Sequence, residues 1–184
     1  MSVALEKACT VKLLVLDVDG VLSDGRLYYG NDGEELKSFY TPDGVGIKLL
    51  QRAGIAVAII TGRRSEIVAR RALELGIEHY VQGRDDKLVA LRELLDTLGL
   101  DLAATAYMGD DLPDLPAIEH CGLGMTVAGA DEYVAAHADW RSQQPGGRGA
   151  VREACEFILR AQHKLDAARE HYRTAGVSAG ENAR

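Results

Sequence analysis

An apolar run that ends in two closely spaced carboxylates constrains this chain more than any other feature. Residues 11–16 form a predicted buried strand, and Asp17-Val-Asp19-Gly20 follows it directly. Because extended residues two positions apart point to one side, Asp17 and Asp19 are predicted to face the same space. Like charges this close repel unless a cation, a shared proton or solvent offsets them. The pattern indicates either a metal and phosphate site or a solvated turn, since Asp and Gly are common in turns.

The composition is that of a globular protein. The 184 residues are 47% hydrophobic, which suits one domain of ordinary size. We expect a single domain over residues 1–184, with a core at about 11–162 and a disordered tail at about 174–184. No apolar run approaches the roughly 18 residues of a membrane helix. Residues 1–9 are too short and too polar for a secretory signal, so no membrane partner is expected.

Charge and cysteine usage narrow the environment. The net charge is −7, and no basic stripe is present, so nucleic acid is a poor partner. A phosphate site in such an acidic protein needs local positive charge or a metal. Cys9, Cys121 and Cys155 are odd in number and form no Cys-x-x-Cys motif. They indicate reduced thiols that pack in the core of a cytoplasmic protein.

Predicted strands and helices alternate, which indicates an α/β fold with a doubly wound parallel sheet. A β-hairpin is expected at residues 26–40, around the turn Gly30-Asn-Asp-Gly33. Residues 145–149 are predicted to form a loop. Ligands of such sheets bind outside the carboxyl ends of the strands. The strands are predicted at 11–16, 55–60, 77–81, 105–108 and 122–127, and the helices at 43–53, 65–75, 86–98, 115–120, 131–137 and 150–169.

Four polar groups stand at or after successive strand ends. Each also has an ordinary explanation: a threonine can cap a helix, a lysine can be solvated, and acidic residues suit a helix start. A lysine in the first turn of a helix is disfavoured by the helix dipole, which indicates a compensating anion. Chance co-occurrence of all four groups is much less probable than a shared site. The groups are Asp17 with Asp19, Thr61, Lys87, and Asp110 with Asp111.

These residues fit the chemistry of phosphoryl transfer. Asp17 is the predicted nucleophile, which forms an aspartyl-phosphate. Asp19 is predicted to protonate the leaving oxygen and then to deprotonate the water that hydrolyses the intermediate. The Thr61 hydroxyl and the Lys87 ammonium are predicted to hold the non-bridging phosphate oxygens.

The same cluster fits a hard cation with oxygen ligands, best Mg²⁺. Asp110, Asp17 and the backbone carbonyl of Asp19 are the predicted ligands. Asp111 and Asp114 are predicted to lie outside them and to orient metal-bound water and Lys87. The cation resolves the repulsion between the paired carboxylates.

These motifs resemble those of a known superfamily. Asp17-Val-Asp-Gly-Val, Thr61-Gly-Arg, Lys87 and Gly109-Asp-Asp-Leu-Pro-Asp114 are similar to the four motifs of the haloacid dehalogenase superfamily of phosphatases. The resemblance spans residues 11 to about 160 and implies the fold and roles given above. A signalling receiver domain is an alternative function class. In receiver domains the acceptor Asp ends a later strand than the acidic pair, but here the second strand ends in Thr61. A non-catalytic scaffold of this fold is expected to lose the Asp pair or Lys87.

The spacing of the motifs leaves no room for a cap domain. Such an open site needs a large substrate or walls from neighbouring subunits. The hairpin has an apolar surface that is predicted either to contact another subunit or to pack on its own domain. Its apolar residues are Leu27, Tyr28, Tyr29, Phe39 and Tyr40.

Further motifs resemble the subfamily of phosphatases that act on 3-deoxy-D-manno-octulosonate 8-phosphate. They are the 17–25 segment, Gly30-Asn-Asp-Gly-Glu-Glu-Leu-Lys37, Asp43-Gly44, Ile59-Ile-Thr-Gly-Arg63 and Gly146-Gly-Arg-Gly-Ala-Val-Arg-Glu153. The resemblance implies a Mg²⁺-dependent homotetramer in lipopolysaccharide biosynthesis in a Gram-negative cytoplasm. It also implies that Asp19 and Lys87 contact the substrate.

The carboxylate of an eight-carbon sugar acid needs cationic partners away from the phosphate. The resemblance implies Lys48, Arg63 and Arg71, although Arg71 also fits a solvated helix position. It further implies that a pocket is lined by Tyr40, Thr41, Pro42, Asp43 and Gly44.

Two departures and one loop leave alternatives open. Pro42 stands where relatives carry a basic residue, and Lys48 stands where arginine is frequent; a lysine does not reproduce bidentate carboxylate binding. A phosphatase for a nine-carbon keto sugar acid phosphate therefore remains a rival. Residues 146–149, with Arg148, are predicted either to close over a site, its own or a neighbour's, or to be a flexible connector.

Overall fold

The apolar runs form a parallel β-sheet at the centre of the molecule. The computed structural model describes residues 2–174. The strands are β1 (Leu13–Leu16), β2 (Tyr28–Tyr29), β3 (Glu35–Leu36), β4 (Ala56–Thr61), β5 (His79–Gln82), β6 (Thr105–Gly109), β7 (Leu123–Ala128) and β8 (Trp140–Pro145). Within the described residues, a six-stranded sheet has the order β5-β4-β1-β6-β7-β8 with every pair parallel, and β2 and β3 form an antiparallel hairpin.

Helices cover both faces of this sheet, as the doubly wound prediction requires. They are α1 (Val3–Ala8), α2 (Thr41–Arg52), α3 (Glu66–Leu75), α4 (Lys87–Leu98), α5 (Leu115–His120), α6 (Glu132–His137), α7 (Ala150–Ala161) and α8 (Leu165–Thr174). Leu14 and Leu16 pack in the core with α1, α2, α3, α7 and α8. Leu13 and Val15 point the other way, into the core with α4, α5 and α6. The fold class is confirmed. Between the helical turn at Val18–Leu22 and β4, the described chain holds only the hairpin and α2.

The register of the sheet brings the strand ends together. Leu16 of β1 pairs with Ile59 of β4 and with Met108 of β6. The Asp17 N–H extends this ladder by donating to the Met108 carbonyl at 3.0 Å. The residues that end or follow these three strands therefore emerge at one edge of the sheet.

The sequence did not predict strand β8 or helix α1. Strand β8 is an edge strand in which Ser142 is buried and the other residues are exposed or half-buried, so it lacks the apolar run that marks the inner strands. Helix α1 is only six residues long and begins with Ser2 as its N-cap. The hairpin pairing is also shorter than predicted, and α2 begins at Thr41 rather than at residue 43.

The single helix predicted at 150–169 is wrong. Helix α7 ends at Ala161, His163 adopts a positive φ of 54°, and α8 begins at Leu165. The Lys164 N–H donates to the Leu159 carbonyl at 2.8 Å, which closes the end of α7. Since neither Gly nor Pro marks this break, the helical pattern continued through it.

The outer parts of the chain differ in detail from the predictions. Thr174 belongs to α8, and the rest of the expected tail, residues 175–184, lies outside the described residues. Cys121 and Cys155 are buried as expected, but Cys9 is exposed. Among residues 2–174, no helix combines the length and the apolarity needed to cross a membrane.

Candidate active site

A buried lysine joins two carboxylates at the edge of the sheet. Lys87 begins α4, and its Nζ donates to Asp17 Oδ1 at 2.7 Å and to Asp114 Oδ1 at 3.0 Å. It also donates to the Ile60 carbonyl at 3.2 Å. Burial opposes its charge, but the two carboxylates raise the pKa of Lys87 above its ordinary value. Lys87 is therefore held as a cation next to the predicted nucleophile.

Asp114 organises this corner of the site through both of its oxygens. Oδ1 accepts from Lys87 and from the Tyr107 hydroxyl, the latter at 2.8 Å. Oδ2 accepts the backbone N–H groups of Asp110 and Asp111 at 3.2 and 3.4 Å. Gly109 permits this fold-back, because a Cβ there would lie 2.3 Å from the Asp114 Cβ. Its four donors leave Asp114 little capacity to bind anything else.

Three carboxylates nevertheless meet closely enough to hold a metal. One oxygen each from Asp17, Asp110 and Asp114 lies within 4.8 Å of the others. Burial and then the Asp114 carboxylate raise the pKa of Asp17 to about 7, against the effect of Lys87. Burial and then the Asp17 and Asp114 carboxylates raise the pKa of Asp110 to about 7. A buried, all-oxygen set with excess negative charge fits Mg²⁺, and Asp17 and Asp110 have the free oxygens for it.

Asp111 lies beside this cluster without joining it. The residue is exposed, and its carboxylate accepts the Leu112 N–H at 2.8 Å, as a helix cap does. Asp111 therefore lies outside the acidic cluster, whereas Asp114 is one of its three members, with both oxygens already occupied by donors.

Asp17, Asp19, Thr61, Lys87 and Asp110 line one open cleft of about 470 Å³. Thr61 is buried at the end of β4, on the strand next to Asp17. The sequence placed these groups at strand ends, and the parallel register brings them together. Arg63 also lines the cleft, with its side chain 41% exposed and its Nη2 donating to the Tyr29 hydroxyl at 2.9 Å.

Sequence reasoning missed two side chains of this site. The Tyr107 hydroxyl reaches Asp114 from within β6, where the sequence predicts a strand but indicates no role for this side chain. Lys37, just after β3, forms an ion pair and a hydrogen bond with Asp19 Oδ1. Asp19 lies 18 residues earlier in the chain, so the local sequence around Lys37 carries no signal for this contact.

Several predicted substrate residues have other contacts within this chain. The Asp43 carboxylate is buried and accepts the N–H groups of Arg152 and Gly149, at the start of α7. Lys48 Nζ donates to the Leu75 carbonyl, at the end of α3. None of residues 40–44, Lys48 or Arg71 lines the cleft.

Arg71 and the start of α2 lie together outside the cleft. The Arg71 guanidinium covers Gly44, where a Cβ would lie 2.7 Å from Nη2. It also lies 5.8 Å from the centre of the Phe39 ring. Tyr40 and Thr41 are exposed and Pro42 is half-buried at the N-terminus of α2.

The loop at residues 145–149 packs on residues 20–21 of its own chain, which follow Asp17 and Asp19. A Cβ at Gly146 would lie 1.7 Å from the Gly20 carbonyl oxygen, and the Gly147 N–H donates to the Val21 carbonyl at 2.9 Å. Exposed Arg148 lines a second cavity of about 370 Å³ that adjoins Gly20 and Asp110. The loop therefore packs closely beside the site and is not a flexible connector.

Most apolar side chains of the hairpin region are exposed. Leu27, Tyr28, Tyr29 and Tyr40 are exposed, whereas Phe39 is half-buried against the core. Packing on the same domain is therefore wrong for the first four residues.

Comparison with known proteins agrees with this geometry. A model of haloacid dehalogenase-like hydrolases matches residues 81–151. The 3-deoxy-D-manno-octulosonate 8-phosphate phosphatase KdsC of Escherichia coli is 49% identical over 165 residues, which cover 90% of this chain and 88% of that protein. The chain belongs to the KdsC family of haloacid dehalogenase-like phosphatases.

Two similar solved structures of the KdsC family contain a bound metal ion, and one of them also contains a ligand. The Moraxella catarrhalis phosphatase, in complex with a magnesium ion, a phosphate ion and a KDO molecule, has a TM-score of 0.90 and 49% identity. The alignment covers 92% of this chain and 97% of that one. The cobalt-bound Haemophilus influenzae enzyme has a TM-score of 0.85 and 43% identity, with 88% and 94% covered. As a KdsC family member the protein is a phosphoric monoester hydrolase, and its acidic cluster suits the magnesium of this family.

Proposed function

We propose that this single-domain enzyme hydrolyses 3-deoxy-D-manno-octulosonate 8-phosphate to the free sugar acid and phosphate, with Mg²⁺ as cofactor. One observation carries the chemistry: Asp17, held 2.7 Å from the Lys87 ammonium, lies in an open cleft with Asp110 and Thr61. The identity with KdsC over most of the chain supports the substrate. The same comparisons do not favour the nine-carbon acid, a receiver domain or a scaffold.

The residues of the cleft divide the reaction into two transfers. In the first, Asp17 forms a bond to phosphorus while the bond to the sugar oxygen breaks, and Asp19 gives that oxygen a proton. In the second, Asp19 takes a proton from water, the water oxygen bonds to phosphorus, and Asp17 is released. Thr61 and Lys87 hold the non-bridging oxygens. Mg²⁺, held by Asp17, Asp110 and the Asp19 carbonyl, supplies positive charge that offsets the phosphate and the carboxylates.

We assign recognition of the sugar acid to residues of two subunits. Arg63 lies in the cleft, where it can meet the substrate beyond its phosphate. Lys48, Arg71, Tyr40, Thr41, Pro42 and Gly44 lie elsewhere on the chain, so we assign them to the cleft of a neighbouring subunit. Asp43 is left out of this assignment, because both of its carboxylate oxygens accept N–H groups at the start of α7. The exposed apolar hairpin and the uncapped cleft support a homotetramer in which such sharing occurs. Arg148, beside the second cavity, is assigned to the wall of its own site.

We further propose a cytoplasmic location and a role in lipopolysaccharide biosynthesis. All three cysteines, including exposed Cys9, are free thiols, as is usual in a reducing compartment. The proposed pathway rests on the eight-carbon sugar acid phosphate that the name of the KdsC proteins gives as their substrate.

The decisive experiment measures phosphate release from a panel of substrates, with and without Mg²⁺. The panel contains the eight-carbon acid phosphate, a nine-carbon analogue and hexose phosphates, with Asp17→Asn as the background control. We expect strong, Mg²⁺-dependent preference for the eight-carbon acid. Equal turnover of another phosphate would contradict the substrate and leave the chemistry standing.

Subunit sharing has its own experiment. Asp17→Asn and Arg71→Met chains are each expected to be inactive, and mixing them by refolding should restore part of the activity if one site uses both subunits. Sedimentation at assay concentration reports the oligomer. A fully active monomer, or mixtures without recovered activity, would contradict the shared site.

A further inference from the structure

The hairpin brings a buried ammonium to Asp19, and the reaction proposed above gives that ammonium no role. The Lys37 side chain is 1% exposed, and its Nζ pairs with Asp19 Oδ1. A lysine is almost never buried so fully unless its charge is paired. Its other acidic neighbour, Glu35 Oε1, lies farther away at 3.7 Å. Asp19 is therefore the main partner of this buried charge.

The two carboxylate oxygens of Asp19 have different surroundings. Oδ1 accepts from Lys37 and from the Ser23 hydroxyl, the latter at 3.4 Å. Among residues 2–174, no donor forms a hydrogen bond with Oδ2. Arg63 Nε, which is buried and has no hydrogen-bond partner among the same residues, lies 3.8 Å from it. Asp19 and Arg63 both line the cleft that contains Asp17. Oδ2 is thus the oxygen free to meet a substrate.

We propose that Lys37 is a positioning residue that holds Asp19 Oδ1 and thereby presents Oδ2 to the leaving oxygen of the substrate. The inference rests on the proposed function, because it takes Asp19 as the proton donor. In the first transfer, the proton on Oδ2 passes to the bridging oxygen as its bond to phosphorus breaks and the Asp17 bond forms. Lys37 itself exchanges no proton. A general acid is effective only within hydrogen-bond reach of the atom it protonates.

The test is the dependence of kcat/KM on the leaving group in Lys37→Met. With the sugar acid phosphate, whose alkoxide needs a proton, kcat/KM should fall by roughly 100-fold, within the range that general acids contribute. With nitrophenyl phosphate, whose leaving group needs little protonation, it should stay within about threefold of wild type. Aryl phosphates of rising phenol pKa should fall between these limits. Lys37→Arg should recover part of the loss.

Lys12→Met is the matched control, since it removes the same charge from an exposed position at the opposite end of β1. It should leave the whole series unchanged, and melting and sedimentation should show both variants folded and assembled as in the wild type. An equal loss with every leaving group, or no loss with the sugar acid phosphate, would overturn the inference.

Failure of the proposed function gives a different result. Wild type that hydrolyses aryl phosphates but not the eight-carbon acid contradicts the substrate, while the aryl series still tests Lys37. A crystal structure of Lys37→Met supplies a readout that needs no turnover. We expect the Asp19 carboxylate to occupy more than one rotamer there, and a single unchanged rotamer would overturn the inference.

Discussion

The Asp110 carboxylate fills the space beside Gly20 in which any other residue would carry its Cβ. A Cβ built at Gly20 would lie 2.0 Å from Asp110 Oδ2, and Gly20 has a φ of +98° that L side chains rarely adopt. The carboxylate thus approaches the backbone that follows Asp19 directly. Only a glycine at position 20 leaves room for Asp110, a proposed metal ligand, to take this position.

Gly20→Ala should therefore damage the metal site. We expect turnover to fall by about 100-fold, because a displacement near 1 Å is enough for such a loss. The strained backbone should also cost about 1–3 kcal/mol of stability. Titration of activity with Mg²⁺ and urea unfolding measure the two effects. The control is Gly99→Ala, which has a φ of +64° but open space around its Cβ. It should lose stability and keep turnover; equal turnover in the two variants would contradict the argument.

Asp17→Asn should abolish turnover and leave the protein folded. The amide oxygen can still accept from Lys87, but the amide cannot attack phosphorus. We expect kcat to fall by at least about 1,000-fold, as for other lost nucleophiles. Steady-state phosphate release and thermal melting measure activity and folding. Turnover within about tenfold of wild type would remove Asp17 from the nucleophile's role.

Without a divalent cation, the acidic cluster should make stability fall as the pH rises. In the folded protein the pKa of Asp17 and of Asp110 is about 7, raised from 3.8 by burial and by neighbouring carboxylates. Between these values the folded state keeps protons that the unfolded state has lost. The contribution of both groups to the free energy of unfolding is thus full below pH 3.8 and is lost towards pH 7.

Urea unfolding in chelator at several pH values measures this slope. Asp110→Asn should flatten it, whereas Asp166→Asn, at an exposed position in α8, should leave it unchanged. Added Mg²⁺ should stabilise the protein most at neutral pH, where the carboxylates are ionised. Identical slopes in wild type and Asp110→Asn would contradict the pKa assignment.

Asp43 offers a test of structural against substrate-binding roles. Its oxygens accept the N–H groups of Arg152 at 2.8 Å and Gly149 at 3.3 Å, so it caps α7 from another element. Asp43→Ala should lower the free energy of unfolding by about 1–2 kcal/mol, whereas Asp43→Asn keeps one acceptor oxygen and should lose less. KM should be unchanged in Asp43→Asn. A raised KM with wild-type stability would assign Asp43 to the substrate instead.

The parallel sheet and the carboxylate edge were predictable because local sequence carries them. The inner strands are continuous apolar runs, and Asp17, Thr61 and Asp110 end or directly follow three of them. A parallel sheet brings such ends together whatever the intervening helices are.

The remaining features depend on contacts between distant segments. Lys37 contacts Asp19 only because the hairpin folds back on it. Asp43 accepts a hydrogen bond from α7, which lies more than a hundred residues later in the chain. Strand β8 is polar because it is an edge, and the break at His163 carries no glycine or proline. Periodicity in one sequence does not record such partnerships.

The seating of Gly146 and Gly147 against Gly20 and Val21 has a consequence for synthesis of the chain. The backbone that packs against the loop after the nucleophile comes from the segment between β8 and α7, which is translated more than 100 residues after Asp17. A nascent chain halted before residue 145 carries Asp17, Lys87 and Asp110 without the backbone that packs behind them. The loop after Asp17 therefore gains its packing partner only once residues 145–149 have been translated.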